Sequence, residues 1–445
     1  MGAPKVTFLG GVREIGGNKI IVEDGGDRIL LDFGRSFSDR TKDYYVNYLS
    51  PRGSSYTKDL LEFGLLPRVE GLYDPVDLDG TGLKERTPFV RGLFLSHPHT
   101  DHVQYIDLLD PRIPLHVGKV TKTVLDVMAT TGKSWKPGEK SWSLFQDGKG
   151  VKVGSLEVVP YPVDHSIPGA YGFLVHTSEG CLVYTGDFRE HGPRASETRT
   201  FLDAAAKEKP VAMLSEGTRL GPDKRKEFTE EQVGTEASQV LRRSRNIALA
   251  TCYPRDVDRL VSLYEAARAS QRDFVVSTRT AYLLKQVAPH AKLRAPIPGK
   301  SPGLLVYDRQ LQKTGRWERE FLDDALTCDQ VAKRGKGVLL QLDLWQFPEL
   351  IDIRPPKGSP FIHSMSEPFS EEDVEDEVMR RWLDHFGMPL HQLHASGHCS
   401  GAELLETVKD VKPKTLFPIH TEHPEAFQGN GINVELPEVG KSYAL

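Results

Sequence analysis

The stretch from Leu95 to Leu109 reads LSHPHTDHVQYIDLL and sets three histidines and an aspartate within six positions, directly behind the apolar run FVRGLFL. A buried strand that ends in so many ring nitrogens needs something to satisfy them, because buried polar groups without partners are costly. One core histidine is ordinarily held by its neighbours. His97, His99, Asp101 and His102 together point instead to a metal centre. In an extended segment alternate side chains share a face, so His97 and His99 point together. A turn at Thr100 then directs Asp101 and His102 to a second position. The chain repeats the pattern further on. Asp164 and His165 follow EVVPYPV, Asp187 and Arg189 follow CLVY, and His420 closes TLFPI. Taken singly, Asp187 reads as a turn residue and His165 as a surface histidine. Taken jointly, these strand ends are expected to converge along one sheet edge around two adjacent metals. Imidazole and carboxylate donors suit zinc, and Mn²⁺ fits them too.

Composition removes several other classes. The 445 residues suffice for two or three domains, and 38% hydrophobic with 27% charged residues is ordinary for a globular chain. The formal net charge of −5 gives nucleic-acid binding no bulk support, so any polyanion site must be local. Cys181, Cys252, Cys328 and Cys399 form no C-x-x-C pair. That argues against a disulfide framework or a thiolate zinc site and predicts a cytoplasmic protein. No run of about 18 apolar residues occurs, and MGAPKVTFLGG lacks a signal-like apolar region, so no membrane span is expected. Val6 stands where a myristoylation pattern needs Ser or Thr.

The first ~35 residues alternate apolar runs with glycine turns and predict an antiparallel meander. GGVREIGGNK (Gly10–Lys19) lacks the Gly-Lys-Ser/Thr ending of a phosphate loop and reads as a hairpin turn. Ser36 to Lys84 is polar and aperiodic and predicts a long loop or insertion. A helix is expected over Val103–Leu109, then the strand IPLHVG and the helix VTKTVLDVMATT, followed by four short strand regions ending in PVAMLSEG. From about Thr218 helices alternate with strands (EFTEEQVGTEASQVLRRSR, NIALATCY, VDRLVSLYEAARAS, DFVVS), which predicts a parallel α/β module. The tail from Pro389 returns to strand, turn, helix and strand.

H-x-H-x-D-H, then D-H, G-D and a late histidine, is similar to the metal-ligand series of the metallo-β-lactamase-fold hydrolases. The resemblance implies an αββα sandwich with two zinc ions per chain. His97, His99 and His165 would hold one, and Asp101, His102 and His420 the other, with Asp187 between them. Glu216 in LSEGT and His398 in HASGH flank the α/β module and look like motifs A and B of the β-CASP nucleases, with His420 as motif C. A histidine at motif C resembles the RNA-cleaving branch. GGVREIGGN, SEPF (Ser366–Phe369) and HASGH look closest to the ribonuclease J group in its short archaeal form. The chain ends at Leu445, shortly past His420, so the extra C-terminal domain of bacterial forms is expected to be absent, as are leading KH domains. The implied division is 1–218 and 394–445 for the metallo-β-lactamase part and 219–393 for an inserted parallel β-CASP domain. Residues 36–84, longer than in most bacterial relatives, leave endo- against exonuclease preference open.

The resemblance implies a zinc-dependent ribonuclease in which a hydroxide held by two metals attacks the phosphodiester of single-stranded RNA. His398 would protonate the leaving 3′-oxygen and Glu216 would hold its imidazole. The expected activity is 5′-to-3′ exonuclease on 5′-monophosphate RNA, with endonuclease action also open to it. His394 and Ser396 are expected to contact phosphates, and Lys133, Lys136, Arg279 and Lys285 are candidates for the RNA path. Cys399 is expected to be packed. A homodimer is compatible with the resemblance. Two other readings stand beside it: a glyoxalase-like hydrolase of small esters or thioesters, and a non-catalytic RNA-binding subunit. The module and the Glu216/His398 pair argue against the first, and the full ligand series argues against the second.

Overall fold

The computed structural model describes residues 3–37, 43–45, 48–132, 138–221, 228–309, 313–367, 374–429 and 431–445. Alternation starts the first sheet: in β1 (Lys5–Gly10) Val6, Phe8 and Gly10 are buried, while Lys5, Thr7 and Leu9 are partly exposed. β2 (Lys19–Asp24) and β3 (Asp27–Leu31) pair antiparallel with it, as the meander predicts. β4 (Leu93–Phe94), β5 (Leu115–Val117) and β6 (Trp142–Leu144) continue the sheet in parallel. The second sheet takes β7 (Val151–Val153), β8 (Leu156–Val163), β9 (Ala170–Thr177), β10 (Gly180–Tyr184) and β11 (Ala212–Glu216). The third takes β12 (Ala248–Cys252), β13 (Asp273–Ser277), β14 (Leu304–Tyr307), β15 (Val338–Gln341), β16 (Phe361–Ser364) and β17 (Leu390–Gln392). β18 (Thr415–Ile419) then joins β11 in the second sheet, and β19 (Ser442–Ala444) joins β1 in the first.

The first two sheets face each other. Val6, Phe8, Val22, Leu31 and Phe94 meet Val158, Phe173, Val175, Leu182 and Phe417 in one apolar layer. The opposite face of the second sheet, with Leu174, Val183 and Met213, is covered by α2 and α7. The helices of ten or more residues among the described residues are α1 (Lys119–Thr131), α2 (Ala195–Lys207), α3 (Glu230–Arg243), α4 (Val257–Ala269), α5 (Thr278–Val287), α6 (Val374–Phe386) and α7 (Gly401–Val411). The outer face of the first sheet (Leu30, Leu93, Leu115) packs on Val124 and Leu125 of α1. The result is the expected αββα sandwich.

The third sheet has the order β14-β13-β15-β12-β16-β17, and every pairing is parallel. Its central strands β12 and β15 are buried on both faces, which explains continuous apolar runs such as NIALATC. Thr229 and Gln232 form a capping box that starts α3, and Ser400 with Glu403 does the same for α7.

Several expectations need correction. Val103–Leu109 is not one helix. A short helix spans Thr100–Val103 and a 3₁₀ turn spans Ile106–Leu108, because His99 already begins the turn. The polar stretch 36–84 is not simply a loop. It carries a helix over Tyr56–Glu62, and Leu60, Leu61, Leu66, Leu72 and Tyr73 are buried in the core beside the first sheet. Helix α2 and strands β14 and β16 had no predicted counterpart. Among the described residues no helix is long and apolar enough to cross a membrane.

Candidate metal centre and its acid pair

The predicted site residues meet, but at the facing edges of two sheets rather than along one. His97, His99, Asp101 and His102 follow β4 of the first sheet. His165, Asp187, Glu216 and His420 stand at or just beyond the ends of β8, β10, β11 and β18 of the second. The two sheets therefore bring their strand ends to a common rim.

Two overlapping clusters result, His97/His99/His165/Asp187 and Asp101/His102/Asp187/His420. In the first, Nδ1 of His99 lies 3.1 Å from Nε2 of both His97 and His165. Oδ2 of Asp187 lies 3.6 Å from Nε2 of His97 and 3.9 Å from Nε2 of His165. In the second, Oδ2 of Asp187 lies 3.2 Å from Nε2 of His102 and 3.6 Å from Nε2 of His420. Asp101 Oδ2 is 2.9 Å from Nε2 of His420. Asp187 thus faces both groups.

The donor set fits metal ions. Oδ1 of Asp101, Nε2 of His102 and Oδ1 of Asp187 are shielded from solvent and have no hydrogen-bond partner. Such orphaned atoms are rare in folded proteins unless an ion or water completes them. The opposite nitrogens of the rings are held: His97 by Ser96 Oγ at 3.0 Å, His165 by the Gly397 carbonyl at 2.5 Å, and His420 by Thr218 Oγ1 at 2.8 Å. This is how metal-binding imidazoles are ordinarily oriented. Burial pushes His97 and His165 well down and His99 to about 3, so these rings are neutral and able to coordinate. For His420 burial acts in the same sense, but the carboxylates of Asp187 and Asp101 prevail and push it up to about 9.

Asp32 is the residue that the sequence reading missed. Its Oδ2 is 2.7 Å from Nδ1 of His102, and it accepts hydrogen bonds from Ser96 and Tyr184. Asp32 and His420 both hold left-handed backbone conformations (φ 54° and 52°), a strain that surrounding contacts must maintain. The GGVREIGGN loop also does more than turn. Gly17 N–H donates to the Asp101 carbonyl, His420 N–H donates to the Gly11 carbonyl, and a Cβ on Gly16 would meet that of Asp101 at 2.5 Å. Glycine is required there for close approach.

Beside the clusters, Nδ1 of His398 lies 3.0 Å from both oxygens of Glu216. Glu216 is fully buried and accepts from the backbone N–H groups of Phe188 and Thr218. The His398 ring is 5.0 Å from that of His165 and 5.6 Å from that of His420, centre to centre. Its Nδ1 is occupied by Glu216, which leaves Nε2 as the atom available for proton transfer.

The other candidates are placed differently. Ser396 Oγ accepts from the His398 N–H, and Nδ1 of His394 stands 3.4 Å from Nη1 of Arg259. Both side chains thus have protein neighbours. Lys285 pairs with Glu320. Burial pushes the Asp343 carboxyl up, and Arg279 is near enough to oppose that shift. Lys133 and Lys136, and the second half of SEPF, lie outside the described residues. Cys399 is buried, and burial pushes its thiol well up, as expected of a packed cysteine.

Residues 76–225 match a family model described as a beta-lactamase superfamily domain, and residues 388–434 match one described as a Zn-dependent metallo-hydrolase RNA specificity domain. Ribonuclease J of Sinorhizobium meliloti is 24% identical over 391 residues, 84% of this chain and 65% of that protein. Ribonuclease J of Mycoplasma genitalium is 22% identical over 432 residues, 94% of this chain and 68% of that protein. The chain thus spans about two thirds of the length of these curated relatives. A crystal structure from Enterococcus faecalis V583, described as a protein of unknown function, superposes with a TM-score of 0.82 at 26% identity and covers 100% of both chains.

Proposed function

We propose that this chain, which is ribonuclease J-like and carries a beta-lactamase superfamily domain, is a β-CASP ribonuclease that hydrolyses single-stranded RNA with two zinc ions. The observation that carries this reading is the Glu216–His398 pair set against two clusters that share Asp187. A small activated ester would need no such pair, whereas a ribose 3′-oxygen leaves poorly without a proton.

His97, His99 and His165 would hold one ion, Asp101, His102 and His420 the other, and Asp187 would touch both. When bound, the metals supply Lewis acidity and lower the pKa of water at the site. The rest falls to the chain. Asp32 keeps the His102 ring turned toward Asp187, and Thr218 does the same for His420. Glu216 fixes Nδ1 of His398 and stabilises the imidazolium, so that Nε2 gives its proton to the leaving oxygen. Residues 219–393 form the RNA-facing insertion, and 1–218 with 394–445 form the hydrolase body. Cleavage runs 5′ to 3′ from monophosphorylated ends, with internal cleavage as a second mode.

RNA labelled at either end, incubated with and without a chelator, tests the reading. Release of 5′ mononucleotides that stops with chelator and returns with zinc is expected. Wild-type protein that turns over no RNA would refute it.

A further inference from the structure

Outside the His/Asp clusters, another group of metal-binding side chains collects at the opposite end of β10 from Asp187. Cys181, near the start of β10, lies directly across the ladder from His176, near the end of β9. Residues directly opposite share a face of the sheet, here the face that α2 covers, so thiol and imidazole point the same way. Glu208 follows the last residue of α2 and adds a carboxylate. One ring nitrogen of His176, Sγ of Cys181 and one oxygen of Glu208 lie within 4.8 Å of one another. Among the described residues no other cysteine stands in such a group.

Mutual pairing does not account for the trio. Nδ1 of His176 is 3.9 Å from Oε2 of Glu208, too far for a hydrogen bond. The contacts of Cys181 Sγ are with backbone, the Leu182 carbonyl at 3.7 Å and Val175. A thiolate, an imidazole and a carboxylate form a zinc donor set, and three such ligands leave a fourth position for water. Donors about 2.0–2.3 Å from a tetrahedral zinc stand about 3.3–3.6 Å apart. Closing to that spacing takes about 1 Å of movement, within reach of the partly exposed side chains of His176 and Glu208. A hollow lined by His176, Glu157 and Glu179 gives a hydrated cation its way in, and the carboxyl end of α2 favours positive charge. Burial first, and the Glu208 carboxylate second, push the Cys181 thiol up to about 12. An arriving ion must therefore displace the thiol proton, as metal coordination does outright.

We infer that His176, Cys181 and Glu208 form a separate metal site that takes one zinc ion and ties the end of α2 to β9 and β10. No C-x-x-C pair is needed, because strand pairing and a helix end assemble the donors. The inference does not depend on what the His/Asp clusters bind.

Cobalt tests it, since thiolate bound to Co²⁺ gives an intense near-ultraviolet charge-transfer band and the His/Asp clusters hold no thiol. Chelator-stripped protein titrated with cobalt should show this band in the wild type and lose it in H176A, E208A and C181S. After zinc loading and gel filtration, each variant should retain one zinc per chain fewer than the wild type. Because a bound ion stabilises the folded state by mass action, zinc should raise the Tm of the wild type further than that of H176A. His176 and Glu208 are partly exposed, so their variants decide the matter even where C181S folds poorly. A wild type without the band would overturn the inference, and so would a band that persists in any of the three variants. Equal zinc content in wild type, H176A and E208A, or equal zinc-induced rises in Tm, would do the same.

Discussion

At the scale of single residues the centre divides into groups proposed to hold an ion and groups that aim them. Asp32 belongs to the second kind. Replacing it by alanine leaves Nδ1 of His102 without its carboxylate and frees the ring to turn. Such losses typically cost 10- to 100-fold in metal affinity or activity. Zinc titration of D32A should show that weakening, and unchanged affinity would refute the orienting role. His398 stands outside the seven proposed ligands and its Nδ1 is held by Glu216, so H398A should keep its zinc while RNA cleavage slows about 10²–10⁴-fold. A nitrophenyl phosphodiester, whose leaving group needs little protonation, should be slowed far less. Equal slowing of both substrates would count against the acid role. His97 through His102 were legible in the sequence because they crowd one strand end. Asp32 was not, since a lone aspartate in LLDFG reads as a turn and its partner lies 70 positions away.

Among the elements, strands proved legible where an apolar run ended in a polar cluster, and hidden where pairing partners are distant in the chain. The expectation of one sheet edge failed for that reason: β4 and β10 each end in candidate ligands, but nothing local says that they belong to different sheets. Helix α2 escaped because its buried stripe is only Thr198, Phe201, Leu202 and Ala205 among charged residues. Helices α3 and α4 carry a testable ion pair. Glu230 at the start of α3 receives Arg259 Nε at 2.8 Å and Nη2 at 3.0 Å. Burial works against its charge, yet Arg259 prevails and holds its carboxyl down at about 2, against an ordinary value of 4.5. A depressed folded-state value means that the pair stabilises the fold above about pH 4.5 and that this is lost as pH falls toward 2. E230Q should be less stable than wild type at pH 7, by up to the roughly 3–5 kcal/mol typical of a broken buried pair. Its stability should also fall less steeply between pH 4.5 and 2. Parallel acid limbs for the two proteins in urea titrations would refute this assignment.

For the whole molecule the question is how an insertion can be held firmly enough to serve a site built by two other sheets. One apolar cluster runs from Leu93 and Leu115 under α1, across to Leu284 on α5, and on to Ala250 and Phe274 of the third sheet. A buried ionic joint reinforces it. Asp258 on α4 receives Arg189 Nη2 at 3.1 Å and Arg194 Nη1 at 2.6 Å, while Asp164 receives Arg189 Nε at 3.0 Å. Asp164 precedes His165, so the joint ties the module to the segment that presents a proposed zinc ligand. D258N keeps the shape and removes the charge, leaving both arginines short of their buried counter-ion, a loss of about 3–5 kcal/mol by comparison with other buried pairs. With the apolar cluster continuous, calorimetry of the wild type should give a single unfolding transition. In D258N the module should melt first and the trace should split or broaden. The variant should also be cut by protease around residue 219 under conditions that leave the wild type whole. A single transition at the wild-type temperature in D258N would mean that apolar packing alone fixes the module, and the joint would then have no structural role.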